Sequence, residues 1–94
     1  MSKRVAVVTG SNKGIGFAIV RGLAKAFKGD VYLTARNEER GLKAVEDLKL
    51  EGLDAKFHQL DIDNEESIKT LAEFLKNTYG GLDVLVNNAG IAFN

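Results

Sequence analysis

The amino-acid sequence predicts an α/β fold built around a parallel sheet. Three observations carry that expectation: short apolar runs alternate with longer stretches of helical period, helix caps and glycines fall at the breaks, and a glycine-rich turn sits where the first run ends. Ninety-four residues allow one domain, spanning 1–94.

The first strand is placed at 4–9, where RVAVVT is nearly continuous in β-branched and aliphatic side chains, as a central strand covered on both faces requires. A helix follows the glycine turn, with Ile15, Ile19, Leu23 and Phe27 on one side. Gly29 closes it and a second strand runs over 31–35. Asn37 with Glu38 and Glu39 reads as an N-cap with acids in the first turn, opening a helix that carries Leu42, Val45 and Leu48 on one face and ends at Gly52. AKFHQL at 55–60 alternates, which suits an edge strand. Asp63 with Glu66 fits a capping box, and the third helix places Ile68, Leu71 and Leu75 together before the glycine pair Gly80 and Gly81. The fourth strand, LDVLV within 82–87, is again apolar throughout. Parallel crossovers are right-handed, so the economical topology is β-α-β-α-β-α-β with spatial order 3-2-1-4. That is a Rossmann-like arrangement: one half of a doubly wound dinucleotide fold, truncated after its first strand past the switch point.

Composition narrows the function classes. Hydrophobic residues make up 45% and charged residues 28%, close to globular averages, which argues against a disordered tail. Cysteine is absent, removing disulfides, thiolate metal sites and thiol nucleophiles together. Runs such as Val5 to Val8 are too short to span a bilayer and the N-terminus lacks the apolar core of a secretory signal, so a cytoplasmic address and no membrane partner are expected. Net charge is zero but unevenly spread: seven bases and one acid up to Arg36, then six bases and twelve acids. Such asymmetry marks an anion-binding end, although solvated helix faces account for most of these residues. Bases and aromatics do not interleave in a stripe, so no nucleic-acid partner is expected.

Thr9 to Gly16, TGSNKGIG, lies where a buried strand gives way to a helix. Backbone amides and the positive end of the helix face outward there, and glycines permit a tight turn and the close approach of a phosphate. The competing reading is a glycine turn chosen for helix packing alone. Gly10, Gly14 and Gly16 do not form G-x-G-x-x-G, because Ile19 holds its last position, and a nucleoside triphosphate loop would need glycine at Ile15.

Twenty residues past Gly16 the second strand ends at Arg36, where folds that bind the unphosphorylated nicotinamide cofactor place an acid on the ribose 2′-hydroxyl. A carboxylate repels a 2′-phosphate and a guanidinium binds it, so the expected cofactor is NADP(H). Lys13 supplies a second cation, and Arg40 either a third or a surface arginine. No metal constellation is present, and His58, alone near the end of an edge strand, reads as a surface residue.

Three motifs in order, T-G-x-x-x-G-x-G at Thr9 to Gly16, D-I-D at Asp61 to Asp63 and N-N-A-G at Asn87 to Gly90, resemble the cofactor half of the short-chain dehydrogenases/reductases. The wider run TGSNKGIG…LTAR…FHQLDID…GGLDVLVNNAGIAF is similar to the NADPH-dependent carbonyl reductases, and the likeness covers essentially the whole chain. The resemblance implies that Asn12, Lys13, Gly14 and Ile15 border the pyrophosphate and adenosine ribose, with Lys13 and Arg36 on the 2′-phosphate. It implies that Asp61 accepts from the adenine amine while the Ile62 amide meets the ring. Asn88, Ala89 and Gly90 would pass beside the nicotinamide ribose, with an asparagine side chain knitting the fourth strand to its neighbours. For Asn87 a structural role is expected rather than cofactor contact.

The family transfers hydride from the nicotinamide to a carbonyl, with a tyrosine as proton donor, a lysine four residues later, a serine and an asparagine. No catalytic residue is assigned here: Tyr32 is followed four residues on by Arg36 and Tyr79 by Asp83, so neither makes Y-x-x-x-K. The expectation is the NADPH-binding portion of a reductase acting on ketones, aldehydes or quinones, inactive by itself. The alternatives are a short chain that binds NADP(H) without turnover or self-associates through its uncovered fourth strand, and another nucleotide fold such as a methyltransferase, against which the glycine spacing and Arg36 argue. A lone copy, with the fourth strand unpaired on one side, should be marginally stable.

Overall fold

A computed structural model describes residues 3–88. Strands β1 (Val5–Val8), β2 (Asp30–Ala35), β3 (Lys56–Gln59) and β4 (Val84–Val86) alternate with helices α1 (Gly14–Ala26), α2 (Glu38–Leu50) and α3 (Glu65–Tyr79). The sheet is parallel, in the order β3-β2-β1-β4. The predicted topology is therefore the observed one. Val8 stands opposite Leu33 on one side and Val86 on the other, while Ala35 stands opposite Gln59, so the carboxyl ends of all four strands open toward one edge.

Alternation along the strands sorts the core into two layers. Ala6, Val8, Val31 and Leu33 point to the face covered by α1 and α2, where they meet Val20, Ala44 and Leu48. Val5, Val7 and Tyr32 point to the opposite face and meet Leu71, Leu75 and Tyr79 of α3. β1, flanked by strands and sandwiched by helices, is wholly buried, which explains its unbroken apolar sequence. β4 is only partly covered, with Leu85 56% exposed.

The predicted stripes hold at Leu48, Leu71 and Leu75, which are buried, and at Ile19, Leu23, Phe27 and Val45, which pack against the core. Their first members do not: Ile15, Leu42 and Ile68 remain 64, 51 and 44% exposed, while α1 and α2 also bury positions outside the stripes, Gly16 and Val20 in α1 and Gly41 and Ala44 in α2. The cause in α1 and α2 is close packing on small residues. A Cβ on Gly41 would fall among the Phe57 ring atoms, so this turn of α2 lies against β3 where a larger residue would hold it off. Hydrophobic periodicity locates an apolar stripe but gives no weight to a glycine that faces the core.

The caps also correct the sequence reading in two places. Asn37 caps α2 as expected, its side-chain oxygen accepting from the Arg40 amide at 2.9 Å. The cap of α3 is Asn64 rather than Asp63: the Asn64 Oδ1 accepts from the amides of Glu66 and Ser67, at 2.9 and 3.2 Å. Gly80 ends α3 in the left-handed region, whereas α1 ends at Phe27 in extended backbone. Gly29 is not a left-handed cap, and a Cβ there would collide with the Arg4 carbonyl oxygen, so its role is close approach to β1.

Candidate functional site

The carboxyl ends of β1, β2 and β3 enclose a cleft of about 210 Å³, lined by Gly10, Asn12, Ala35, Arg36, Leu60, Asp61, Ile62 and Asp63. Residues from three separated segments therefore share one wall-to-wall space. Arg40 does not line it. It borders an adjacent cleft of about 370 Å³ with Glu39, Lys43 and Asp47, and Asn12 stands between the two clefts, lining both.

The loop from Gly10 to Gly16 is shaped by its glycines. Gly10 and Gly14 have φ of 56° and 64°, a region that side-chain-bearing residues rarely adopt, and they fold the chain back from β1 into α1. Gly16 is buried for a different reason. A Cβ on it would lie 2.6 Å from Asn88 Nδ2 and 2.7 Å from the Gly10 carbonyl oxygen. The start of α1 thus rests directly on the loop.

Electrically, α1 differs from the other helices. Asn37 and Asn64 cap α2 and α3, each followed by two glutamates in the first turn. α1 has Lys13 at its N-cap position, with no side-chain cap bond and no acid in its first turn, so its opening amides and the positive end of its dipole are not neutralised. Lys13, Gly14 and Ile15 are exposed there. A helix start left in this condition is suited to an anion.

Polar bonds hold the loop in place. The Ser11 amide donates to the Thr34 carbonyl at 2.8 Å, the Thr34 amide donates to Ser11 Oγ at 3.0 Å, and both side-chain hydroxyls donate to the Val8 carbonyl at 2.8 Å. Asn88 Nδ2 donates to the Gly10 carbonyl at 3.0 Å, and the Thr9 hydroxyl reaches Asn87 Oδ1 at 3.2 Å. The asparagine pair thereby ties β4 to the end of β1. On the far wall the Asp63 amide donates to Asp61 Oδ1 at 3.0 Å, fixing one carboxylate oxygen in the turn before α3.

Of the positions singled out in the sequence, Gly10, Asn12, Arg36, Asp61 and Ile62 meet in one cleft, and Arg40 lies next door. Lys13, Gly14, Ile15 and Gly16 form the adjoining helix start, and Asn88 braces the loop from below. Ala89 and Gly90 lie outside the described residues. Sequence reasoning passed over Ser11 and Thr34. The available signal was a threonine in the otherwise apolar strand VYLTA, a polar side chain that must find partners once buried.

The family model described as short chain dehydrogenase matches residues 4–94. The chain is similar to carbonyl reductase (NADPH) 1 of Mus musculus, at 66% identity over 92 residues, which is 98% of this chain and 33% of that protein. Among solved structures it is similar to menthone neomenthol reductase from Mentha piperita, with TM-score 0.84 and 45% identity over 97% of this chain and 33% of that one. It is similar too to a metagenomic short-chain oxidoreductase in complex with NADP, with TM-score 0.81 and 38% identity over 98% and 41% of the two chains. The chain spans about one third of the length of the curated relatives it matches.

Proposed function

We propose, from the premise that this chain belongs to the short chain dehydrogenase family, that residues 1–94 form an NADPH-binding unit of a carbonyl reductase. The observation that carries the reading is the convergence of an uncapped, acid-free helix start with Arg36 and Asp61 at one end of the sheet. These groups fit the two ends of a phosphorylated adenosine: amides and cations for its phosphates, a carboxylate for its exocyclic amine. The relatives' names point the same way, one carrying NADPH and one a complex with NADP.

In this reading the loop from Gly10 to Gly16 holds the pyrophosphate, with Asn12 against the adenosine ribose. Lys13 and Arg36 take the 2′-phosphate, and Arg40 approaches it from across Asn12. Asp61 and the Ile62 amide hold the adenine. Asn88, Ala89 and Gly90 run beside the nicotinamide ribose. NADPH, when bound, supplies a hydride to a carbonyl carbon, and ketones, aldehydes and quinones are the substrate class of the whole protein. The partner is this dinucleotide in the cytoplasm rather than nucleic acid or a membrane.

The unit itself is proposed to bind without turnover. Tyr32 and Tyr79 are both buried, with their hydroxyls 3.0 Å apart at the opposite end of the sheet from the cleft, where Tyr79 donates to Asp30. Neither is placed to hand a proton to a substrate. Fluorescence titration with NADPH and NADH tests the binding, and oxidation of NADPH in the presence of a simple quinone tests turnover. Tighter binding of NADPH with no turnover is expected, and equal affinity for the two cofactors overturns the reading.

A second reading, self-association, is favoured by β4. An apolar groove of about 410 Å³ runs beside it, walled by Ile62, Ile68, Leu82 and Leu85, and among the described residues β4 pairs only with β1. Sedimentation tests it, and a cooperatively folded monomer would remove it.

A further inference from the structure

We propose that Gln59 and Ser67, neither of which lines the cleft, are positioning residues that set the distance between its two binding walls. The proposal rests on the adenosine-site reading and adds to it the device that holds the site's shape.

β2 and β3 separate at the cleft. Their last ladder bond runs from the Leu60 amide to the Ala35 carbonyl at 3.0 Å. Beyond it Arg36 continues along one wall and Asp61 along the other. The Arg36 carbonyl has therefore run past the ladder that would have supplied its donor. Gln59 supplies one from its side chain, Nε2 donating to the Arg36 carbonyl at 3.2 Å. The other end of the same amide, Oε1, accepts from Ser67 Oγ at 3.2 Å. Ser67 Oγ in turn accepts from the Asp61 amide at 2.9 Å.

Donors and acceptors along this path are consistent with one another. The serine hydroxyl gives one hydrogen and accepts one, and the glutamine amide gives one and accepts one, so each bond orients the next. Ser67 is fixed independently, because its own amide is held by the α3 cap at Asn64 Oδ1. The result is a bridge from the backbone of Asp61, through Ser67 in the first turn of α3 and the Gln59 side chain, to the backbone of Arg36. It determines how far the guanidinium that meets the 2′-phosphate stands from the carboxylate that meets the adenine. Breaking it leaves both walls present but lets the Arg36 backbone move relative to Asp61.

The test is calorimetric titration of the full chain with 2′,5′-ADP, which contains both recognised groups, and with NADPH and NADH in parallel. Gln59→Leu and Ser67→Ala should each weaken 2′,5′-ADP by about threefold to tenfold, the size of one lost neutral hydrogen bond. They should lower the NADPH-to-NADH preference and leave nicotinamide mononucleotide unaffected. The double variant should lose little more than the worse single one, and Ser67→Thr, which keeps the hydroxyl, should behave like the parent. A general loosening of the fold would weaken both cofactors alike and leave their ratio unchanged. Parent-like affinity in both single variants, or an unmoved ratio, or fully additive losses, overturns the bridge while the site stands. A parent chain that fails to bind 2′,5′-ADP overturns the adenosine site itself, and the bridge with it.

Discussion

Ser11 and Thr34 hold each other through amide hydrogen bonds of opposite sense, the amide of Ser11 to the carbonyl of Thr34 and the amide of Thr34 to the hydroxyl of Ser11, with that hydroxyl also 3.3 Å from the Thr34 carbonyl, and both residues are fully buried. Removing the Ser11 hydroxyl strands a buried amide, whereas removing that of Thr34 leaves the Val8 carbonyl still served by Ser11. Ser11→Ala should therefore destabilise by about 1–3 kcal/mol and Thr34→Val by less. Urea denaturation of the two variants gives the order, and a larger loss for Thr34→Val contradicts this account.

Arg36 stands at the end of β2 in the same cleft as Asp61, exposed and ahead of the Asn37 cap. Arg36→Asp replaces a donor fork by an acceptor of opposite charge. About 1.5–3 kcal/mol of preference for NADPH over NADH should disappear, the size of a charge-assisted hydrogen bond. The ratio of the two dissociation constants is the measurement, and an unchanged ratio removes Arg36 from the site.

Gly16 and Gly22 lie on the same helix with opposite surroundings. A Cβ at Gly16 would lie within 3 Å of the Gly10 and Ser11 backbone, which cannot swing aside, while one at Gly22 meets nothing within 4 Å. Gly16→Ala should cost about 1–3 kcal/mol through overpacking and should displace the loop enough to weaken NADPH. Gly22→Ala should stabilise by about 0.5–1 kcal/mol through the unfolded chain. Thermal melts of the pair, with NADPH titration of each, separate a packing glycine from a merely helical one.

The parts of this fold that the sequence disclosed are those governed by local chemistry. Strand order followed from alternation and crossover handedness, the α2 cap from Asn37 and its acids, and the loop from three glycines behind a buried strand. What it hid depends on contacts between distant segments. Ile15 lies on an apolar stripe yet faces outward, because Gly16 is the residue in contact with Asn88. Asp63 and Asn64 are both good caps, and only the geometry of the turn at Asp61 selects the second. Gln59 and Ser67 are ordinary polar residues until β3 and α3 bring them together beside Arg36.

At the opposite end of the sheet, Asp30 accepts from the Tyr79 hydroxyl at 2.6 Å and pairs with Lys3 at 3.3 Å and Lys56 at 3.4 Å. Burial alone would raise the Asp30 carboxyl, but the Tyr79 hydroxyl and the two ammonium groups outweigh it and hold the group below its ordinary range. Tyr79 is pushed well above the ordinary tyrosine range, first by burial and then by the Asp30 carboxylate and Tyr32. The two groups therefore bound stability from opposite sides. The Asp30 contribution is present above about pH 4, where the unfolded carboxyl ionises, and is lost as pH falls through the lower folded value. The Tyr79 contribution is complete below about pH 10 and is lost as pH rises beyond it, because only the unfolded tyrosine ionises there. Asp30→Asn should flatten the acid limb of a stability profile, and Tyr79→Phe should flatten the alkaline limb. Denaturation midpoints measured across pH for the parent and the two variants test this, and parent-like slopes in both variants would mean that other groups set the limits.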